Sequence, residues 1–185
     1  KLESYEDSLF VNDVLSQCEQ WLAMPHGSTK TTVLIETFPS IFQTNEILYA
    51  QKERITALNC GRWDYLFSMI KCNPDVLFPE RDQMTMDRGF LKDYVGEIVR
   101  TCHHRDVHAM GGMSAFLPTT GVDITSTVRQ DKALEIQLGC DGAWVAHPAM
   151  IEEVQAIFRS AFHGAPHQKY RRGVPGSIRD RTFLG

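Results

Sequence analysis

TVLIETFPS at residues 32–40 and ITALNCGRWDY at residues 55–65 decide the fold. Each opens as a short, nearly continuous apolar run, which is how a strand buried on both faces reads, and each leads into a turn holding proline or glycine. Glu36 and Asp64 read as closing these runs. An acid in that position has left the core and faces whatever lies above the sheet. Two such acids on successive strands are expected to converge. Converging carboxylates with no basic residue between them suit a hard divalent cation, and Mg2+ takes one or two carboxylates while keeping waters and accepting substrate oxygens.

Working outward, helical and strand periods alternate along the chain. Leu9 to Leu22 forms a predicted helix with Phe10, Val14, Cys18 and Trp21 or Leu22 on its inner face, closed by Pro25, His26 and Gly27. The first strand is Thr32 to Glu36, and Pro39 opens a helix whose Ile41, Phe42, Ile47 and Leu48 face inward. The second strand, Ile55 to Asn59, leads through Cys60 and Gly61 to a helix from Trp63 to Lys71. A proline-bearing connection, Asn73 to Asp82, precedes a long helix from Thr85 to His104, with Leu91, Tyr94, Val95, Ile98 and Cys102 at helical spacing. The third strand, Val107 to Met110, runs into Gly111 and Gly112. A loop with Pro118 and Gly121 follows, then a helix from Ile124 to Leu138 capped by Asp123. Ala143 to Ala146 is the fourth strand, and Pro148 opens a last helix that buries Ile151, Val154, Ile157, Phe158 and Ala161.

Strand and helix alternating in this way imply a parallel sheet. Acids, glycines and prolines at the strand C-termini point to a (β/α)8 TIM barrel, in which chemistry gathers at that end. A doubly wound sheet is the alternative, but no Gly-rich phosphate fingerprint follows the first strand. A closed barrel needs eight strands and about 250 residues. The 185 residues supply about four βα units, so the chain reads as part of a larger barrel, with sheet edges open to pairing or self-association.

Composition is that of a globular domain: 43% hydrophobic and 23% charged. Nineteen basic against 23 acidic residues leave a formal charge of -4, which gives no electrostatic reason to expect nucleic acid or an anionic membrane as partner. No apolar stretch is long enough to span a bilayer, and no leading signal segment is visible. The five cysteines, Cys18, Cys60, Cys72, Cys102 and Cys140, are widely spaced with no CxxC, and read as reduced thiols. His103 and His104, being adjacent, point in different directions and suit a helix C-terminus better than a ligand set.

The turn CGRWD has three useful properties. Gly61 permits close approach to backbone N–H groups, Arg62 is always charged, and the helix starting near Trp63 offers its N-terminus to a small carboxylate. The competing reading is a tight turn with Arg62 on the surface and Asp64 as a helix cap. Gly111 and Gly112 read either as a turn or as a backbone floor beneath a substrate. Met110 and Met113 read as core or as the lining of an acyl pocket. His147 reads as a base or as a turn residue bonded to backbone.

VLIETFPSIFQTNEILY, ALNCGRWDYLFSMIK, HAMGGMSAFLP and DGAWVAHP, in this order, closely resemble malate synthase of the shorter, A-type form. With KLESYEDSLFVNDVL at the start, the resemblance covers residues 1–168, while 169–185 departs from the pattern. It implies a Claisen-type condensation in which acetyl-CoA, glyoxylate and water give malate and CoA with Mg2+. It also implies Glu36 and Asp64 as the metal ligands and Gly61, Arg62, Trp63 and Asp64, with Glu36, as the glyoxylate site. Pro148 matches a position that contacts acetyl-CoA.

The family's upstream arginine and its proton-abstracting aspartate have no matching motif here, so this chain alone is expected not to turn over. Two rivals remain: a related malyl-CoA or citramalyl-CoA lyase or thioesterase, and a non-catalytic truncated remnant. The resemblance implies a glyoxysome or peroxisome in a eukaryote and the cytoplasm in a bacterium.

Overall fold

A computed structural model of the chain describes residues 1–80, 83–114 and 125–171. Its first helix, α1 (Tyr5–Trp21), starts one turn earlier than the apolar spacing indicates because Ser4 caps it, its side chain accepting a hydrogen bond from the Asp7 N–H. Strand β1 (Thr31–Ile35) ends one residue before Glu36. The segment after Pro39 divides into a 3-10 turn, Pro39–Gln43, and helix α2 (Thr44–Ala50). Strand β2 (Ile55–Cys60) is followed by α3 (Arg62–Cys72), so Asp64 lies in the first turn of a helix rather than at a strand end. Then come α4 (Gly89–His104), β3 (His108–Gly111), α5 (Thr125–Leu138), the two-residue β4 (Gly142–Ala143), a 3-10 turn at Pro148–Met150 and α6 (Ile151–Phe162). The readings for Asp82, the Pro118 and Gly121 loop, the Asp123 cap and Ile124, and the tail beyond residue 171, lie outside the described residues.

The four strands are all parallel and stand in the order β1-β2-β3-β4. A doubly wound sheet reverses its strand order at a switch point. Here each strand pairs with its successor in sequence, as in a barrel wall, and β1 and β4 form the edges among the described residues. In register, Ile35 faces Cys60, Asn59 faces Met110 and Gly111 faces Ala143. The ends that carry Glu36, Gly61 and Gly112 are therefore neighbours.

The main core packs Val33, Ile35, Leu58 and Ala109 of the strands against Ile47, Tyr65, Met69, Leu91, Tyr94, Val95 and Ile98 of the helices. All five α4 residues read as inward are fully buried. A smaller cluster joins Val128 to Met150, Val154 and Phe158. Ile151 and Ala161 of α6 face outward instead.

Two faces differ from expectation. Phe42 is 54% exposed and makes an edge contact with Phe38. In α1 the predicted inner face is the outer one, with Phe10 69% and Trp21 79% exposed, while Ser8 and Glu19 are buried. The cause is the fully buried Arg54. Its guanidinium donates to Glu19 Oε1 (2.6 Å), Asn12 Oδ1 (2.7 Å) and Ser16 Oγ (2.6 Å), all on one side of α1. A buried guanidinium must be satisfied, and that requirement turns the polar side of the helix inward.

Candidate functional site

Glu36 leaves β1 with its carboxylate 7% exposed and packed on the backbone of Gly61. A Cβ at position 61 would lie 1.9 Å from Glu36 Oε1, so only glycine admits this approach. Tyr94 joins the two strand ends from below: its hydroxyl donates to the Ile35 carbonyl and accepts from the Gly61 N–H at 3.0 Å. Its ring stacks on Tyr65 with centroids 3.9 Å apart, and burial drives the phenol well above its ordinary pKa, which keeps it a donor.

Glu36 and Asp64 meet. The Lys1 ammonium contacts both, at 3.3 Å from Glu36 Oε2 and in a short contact with Asp64 Oδ2. A basic residue therefore does stand between the acids, contrary to the expectation from local sequence, because it arrives from the start of the chain. Burial and then the hydrogen bond to Asp64 push the Glu36 carboxyl upward, whereas the hydrogen bond from Lys1 holds Asp64 down.

These residues fit a cation by two observations. One positive group already bridges both acids. Asn59, 3% exposed, reaches Glu36 Oε1 with its Nδ2 at 3.4 Å and leaves its buried Oδ1 without a hydrogen-bond partner.

A cleft of about 460 Å³ opens over these groups. Its lining includes Glu36, Asn59, Gly61, Arg62, Trp63 and Asp64, so all five residues expected to form the glyoxylate site share it. The α3 N-terminus opens onto it with Gly61 as cap, so the positive end of the helix faces the space where an anion would sit. Arg62 is not a free anion hook: its guanidinium lies 3.2 Å from Asp131 Oδ1 and over the Trp63 ring at 4.8 Å.

The far wall comes from the β3 and β4 ends. Gly112 packs so closely that a Cβ there would meet the Cys60 carbonyl at 2.6 Å, as a backbone floor requires. Met113, Ser114, Trp144 and Ala146 complete that side, while Met110 packs against Gly142. Pro148 is exposed and outside the lining, and Trp144 and Ala146 of the same turn stand in the cleft instead. His147 accepts from the Ala149 N–H at 3.2 Å, the turn role rather than that of a base.

Sequence reading missed Asn59, Tyr94 as a linker, Ser114 and Asp131. For Asn59 a signal existed: a polar residue inside an otherwise buried run.

Away from the cleft, His103 at the end of α4 is buried and bonded to Asp141. All five cysteines are free thiols. No helix among the described residues is long and apolar enough to cross a membrane.

Comparison with known proteins places the chain in a family. The family model for the malate synthase TIM barrel domain matches residues 1–181, continuing past Gln168. Malate synthase of Myxococcus xanthus is 45% identical over 91% of this chain and 32% of its own length. Malate synthase A of Escherichia coli is 40% identical over 91% and 33%. Glyoxysomal malate synthase of Cucumis sativus is 40% identical over 100% and 34%. The chain thus spans about a third of the length of these relatives.

Among solved structures, a citrate lyase from Burkholderia xenovorans LB400 superposes with a TM-score of 0.69 at 21% identity, covering 85% of this chain and 47% of that one. The Haloferax volcanii malate synthase magnesium/glyoxylate complex gives 0.64 at 15%, covering 85% and 42%. Those two likenesses speak to the barrel fold alone. On the sequence matches and the sheet order together, the chain belongs to the malate synthase family and forms part of its TIM-barrel domain.

Proposed function

We propose that this chain carries the metal and glyoxylate half of a malate synthase active site, in which acetyl-CoA, glyoxylate and water give malate and CoA. The single observation that carries the reading is the meeting of Glu36 and Asp64 around one cation at the mouth of the parallel sheet. Mg2+ held there would orient glyoxylate and polarise its aldehyde oxygen. Glu36 and Asp64 would be its protein ligands, and the buried Asn59 Oδ1, which has no hydrogen-bond partner, would be an acceptor beside them. The backbone N–H groups from Arg62 to Asp64, at the positive end of α3, hold the glyoxylate carboxylate, the Gly61 N–H being taken by Tyr94. Gly61 leaves the space above it to the Glu36 carboxylate.

The new carbon–carbon bond joins the acetyl methyl carbon to the aldehyde carbon. The methyl proton leaves to a base outside this chain, the aldehyde oxygen takes a proton, and water cleaves the thioester to free CoA. The half-exposed Trp144 and the turn running on to Pro148 border the entry side for acetyl-CoA. Location follows the relatives: glyoxysomal or peroxisomal in a eukaryote, as the Cucumis sativus and Candida tropicalis proteins are described, and cytoplasmic in a bacterium. In the whole protein the β1 and β4 edges pair with the remainder of the barrel, and in the isolated chain they are left to self-association.

The test is thiol release by the full-length protein that carries this chain. CoA should appear only when acetyl-CoA, glyoxylate and Mg2+ are all present. Residues 1–185 alone should release none. Cleavage of malyl-CoA without any condensation would replace this reading with that of a lyase.

A further inference from the structure

Helix α5 presents three charged side chains to the underside of the cleft, and none is assigned a role above. Asp131 Oδ1 lies 3.2 Å from the Arg62 guanidinium, and its Oδ2 accepts from Ser114 Oγ at 2.7 Å. Lys132, fully buried, donates to the Gly112 carbonyl at 2.6 Å and to Glu135 Oε2 at 2.9 Å. Glu135 in turn fills the space beside Gly111, where a Cβ would come within 2.1 Å of its Oε2.

Arg62, Gly112 and Ser114 all line the cleft, yet they follow two different strands, Arg62 opening α3 after β2 and the other two lying after β3. A single helix therefore fastens both rims. Taking charges out of water is expensive, and an apolar contact of the same volume would stabilise the fold at least as well. What ionic pairs add is direction: a guanidinium and a hydroxyl bonded to the two oxygens of one carboxylate are fixed relative to each other.

We propose that Asp131 is a positioning residue for the glyoxylate turn, an inference that rests on the function proposed above. It neutralises Arg62 and so leaves the carboxylate of the substrate to the backbone amides. It also sets the gap between the Gly61–Asp64 turn and Ser114, and with it the fit of a two-carbon oxo acid.

In the full-length protein, D131A should raise KM for glyoxylate about tenfold while kcat and KM for acetyl-CoA stay within about threefold. D131N, which keeps an acceptor for Arg62 and a polar partner for Ser114 but not the neutralising charge, should recover only part of the loss, leaving KM for glyoxylate about threefold above that of the parent. Mn2+ affinity measured by electron paramagnetic resonance without either substrate should be unchanged in both, since Asp131 bonds Arg62 and Ser114 rather than the two acids.

An unaltered KM for glyoxylate in D131A overturns the proposal, and so do equal losses in both KM values and in Mn2+ affinity, the pattern of a damaged fold. Should D131A fail to fold, S114A decides: it removes one bond to the same carboxylate and should raise KM for glyoxylate about threefold, an unchanged value counting against the proposal. Turnover by the parent protein with a null effect of D131A refutes this inference alone. Absence of turnover by the parent protein refutes the functional reading and this inference with it.

Discussion

Glu36 rests directly on Gly61, with no room between them for a methyl group: a Cβ at position 61 would stand 1.9 Å from Glu36 Oε1. G61A must displace either the carboxylate or the turn. Overpacking of this kind costs about 1–3 kcal/mol, to be read from urea unfolding. The more telling result is expected from ligand-induced stabilisation, since a ligand that binds only the folded form raises the melting temperature. The parent protein should be stabilised by Mg2+ with glyoxylate and G61A should not; an undiminished shift would contradict the close packing.

Y94F keeps the stacked ring and removes the hydroxyl that joins the Ile35 carbonyl to the Gly61 N–H. Losing one partner of a buried hydrogen bond costs about 1–3 kcal/mol. Denaturant unfolding should show that loss, and Mg2+ affinity should fall with it because the two strand ends are no longer pinned. Unchanged stability would mean that the bond is not formed in solution.

E36Q and D64N each remove one negative charge from the pair that Lys1 now bridges. Each should weaken Mn2+ binding, followed by electron paramagnetic resonance, by about two orders of magnitude. If either variant bound Mn2+ as tightly as the parent, that acid would be excluded as a ligand.

A pH effect is expected at the other end of the barrel wall. His103 Nε2 lies 3.0 Å from Asp141 Oδ2 and its Nδ1 2.6 Å from the Arg171 carbonyl. Both ring nitrogens face acceptors, so both bonds form only when the ring is protonated. Burial opposes that charge, but the Asp141 bond and the Arg171 carbonyl outweigh it and raise His103 above its ordinary 6.5. Burial likewise opposes the Asp141 charge, yet His103 and the Ala109 and Gln168 N–H groups hold it below its ordinary 3.8.

The His103 contribution is complete below about 6.5 and is lost as pH rises through its elevated folded value. The Asp141 contribution is present above about 3.8 and is lost only as pH falls through its depressed folded value. The protection factors of the amides of residues 167–171, corrected for the intrinsic base-catalysed rate, should therefore fall as the solution becomes alkaline, and H103Q should abolish that fall. Protection factors independent of pH in the unaltered protein would refute this role of His103.

The strands and α4 were legible because their burial is written locally, as apolar runs or as Leu91, Tyr94, Val95, Ile98 and Cys102 at helical spacing. The α1 face was not, since apolar period alone cannot foresee that Arg54, 42 residues from Asn12, would demand the polar side. Glu36 and Asp64 could be paired from sequence because each sits beside the end of a neighbouring strand. The bond between Arg62 and Asp131 spans 69 residues and leaves no local trace. The fourth strand was expected to continue to Ala146 but stops at Ala143, and the chain then turns so that Trp144, not Pro148, reaches the cleft.

The two acids follow the ends of adjacent strands joined by an unbroken ladder from Thr32 and Ala57 to Ile35 and Cys60, Glu36 directly and Asp64 through the first turn of α3, and the one irregularity in that pairing falls at Thr31, the opposite end. Their spacing is thus inherited from main-chain hydrogen bonds and the Tyr94 hydroxyl rather than from the shapes of aliphatic side chains beneath. Exchanges among aliphatic residues in the interior can accumulate without blurring the cation site, whereas a slip of one step between these strands would abolish it, turning the side chains of the slipped strand to the opposite face.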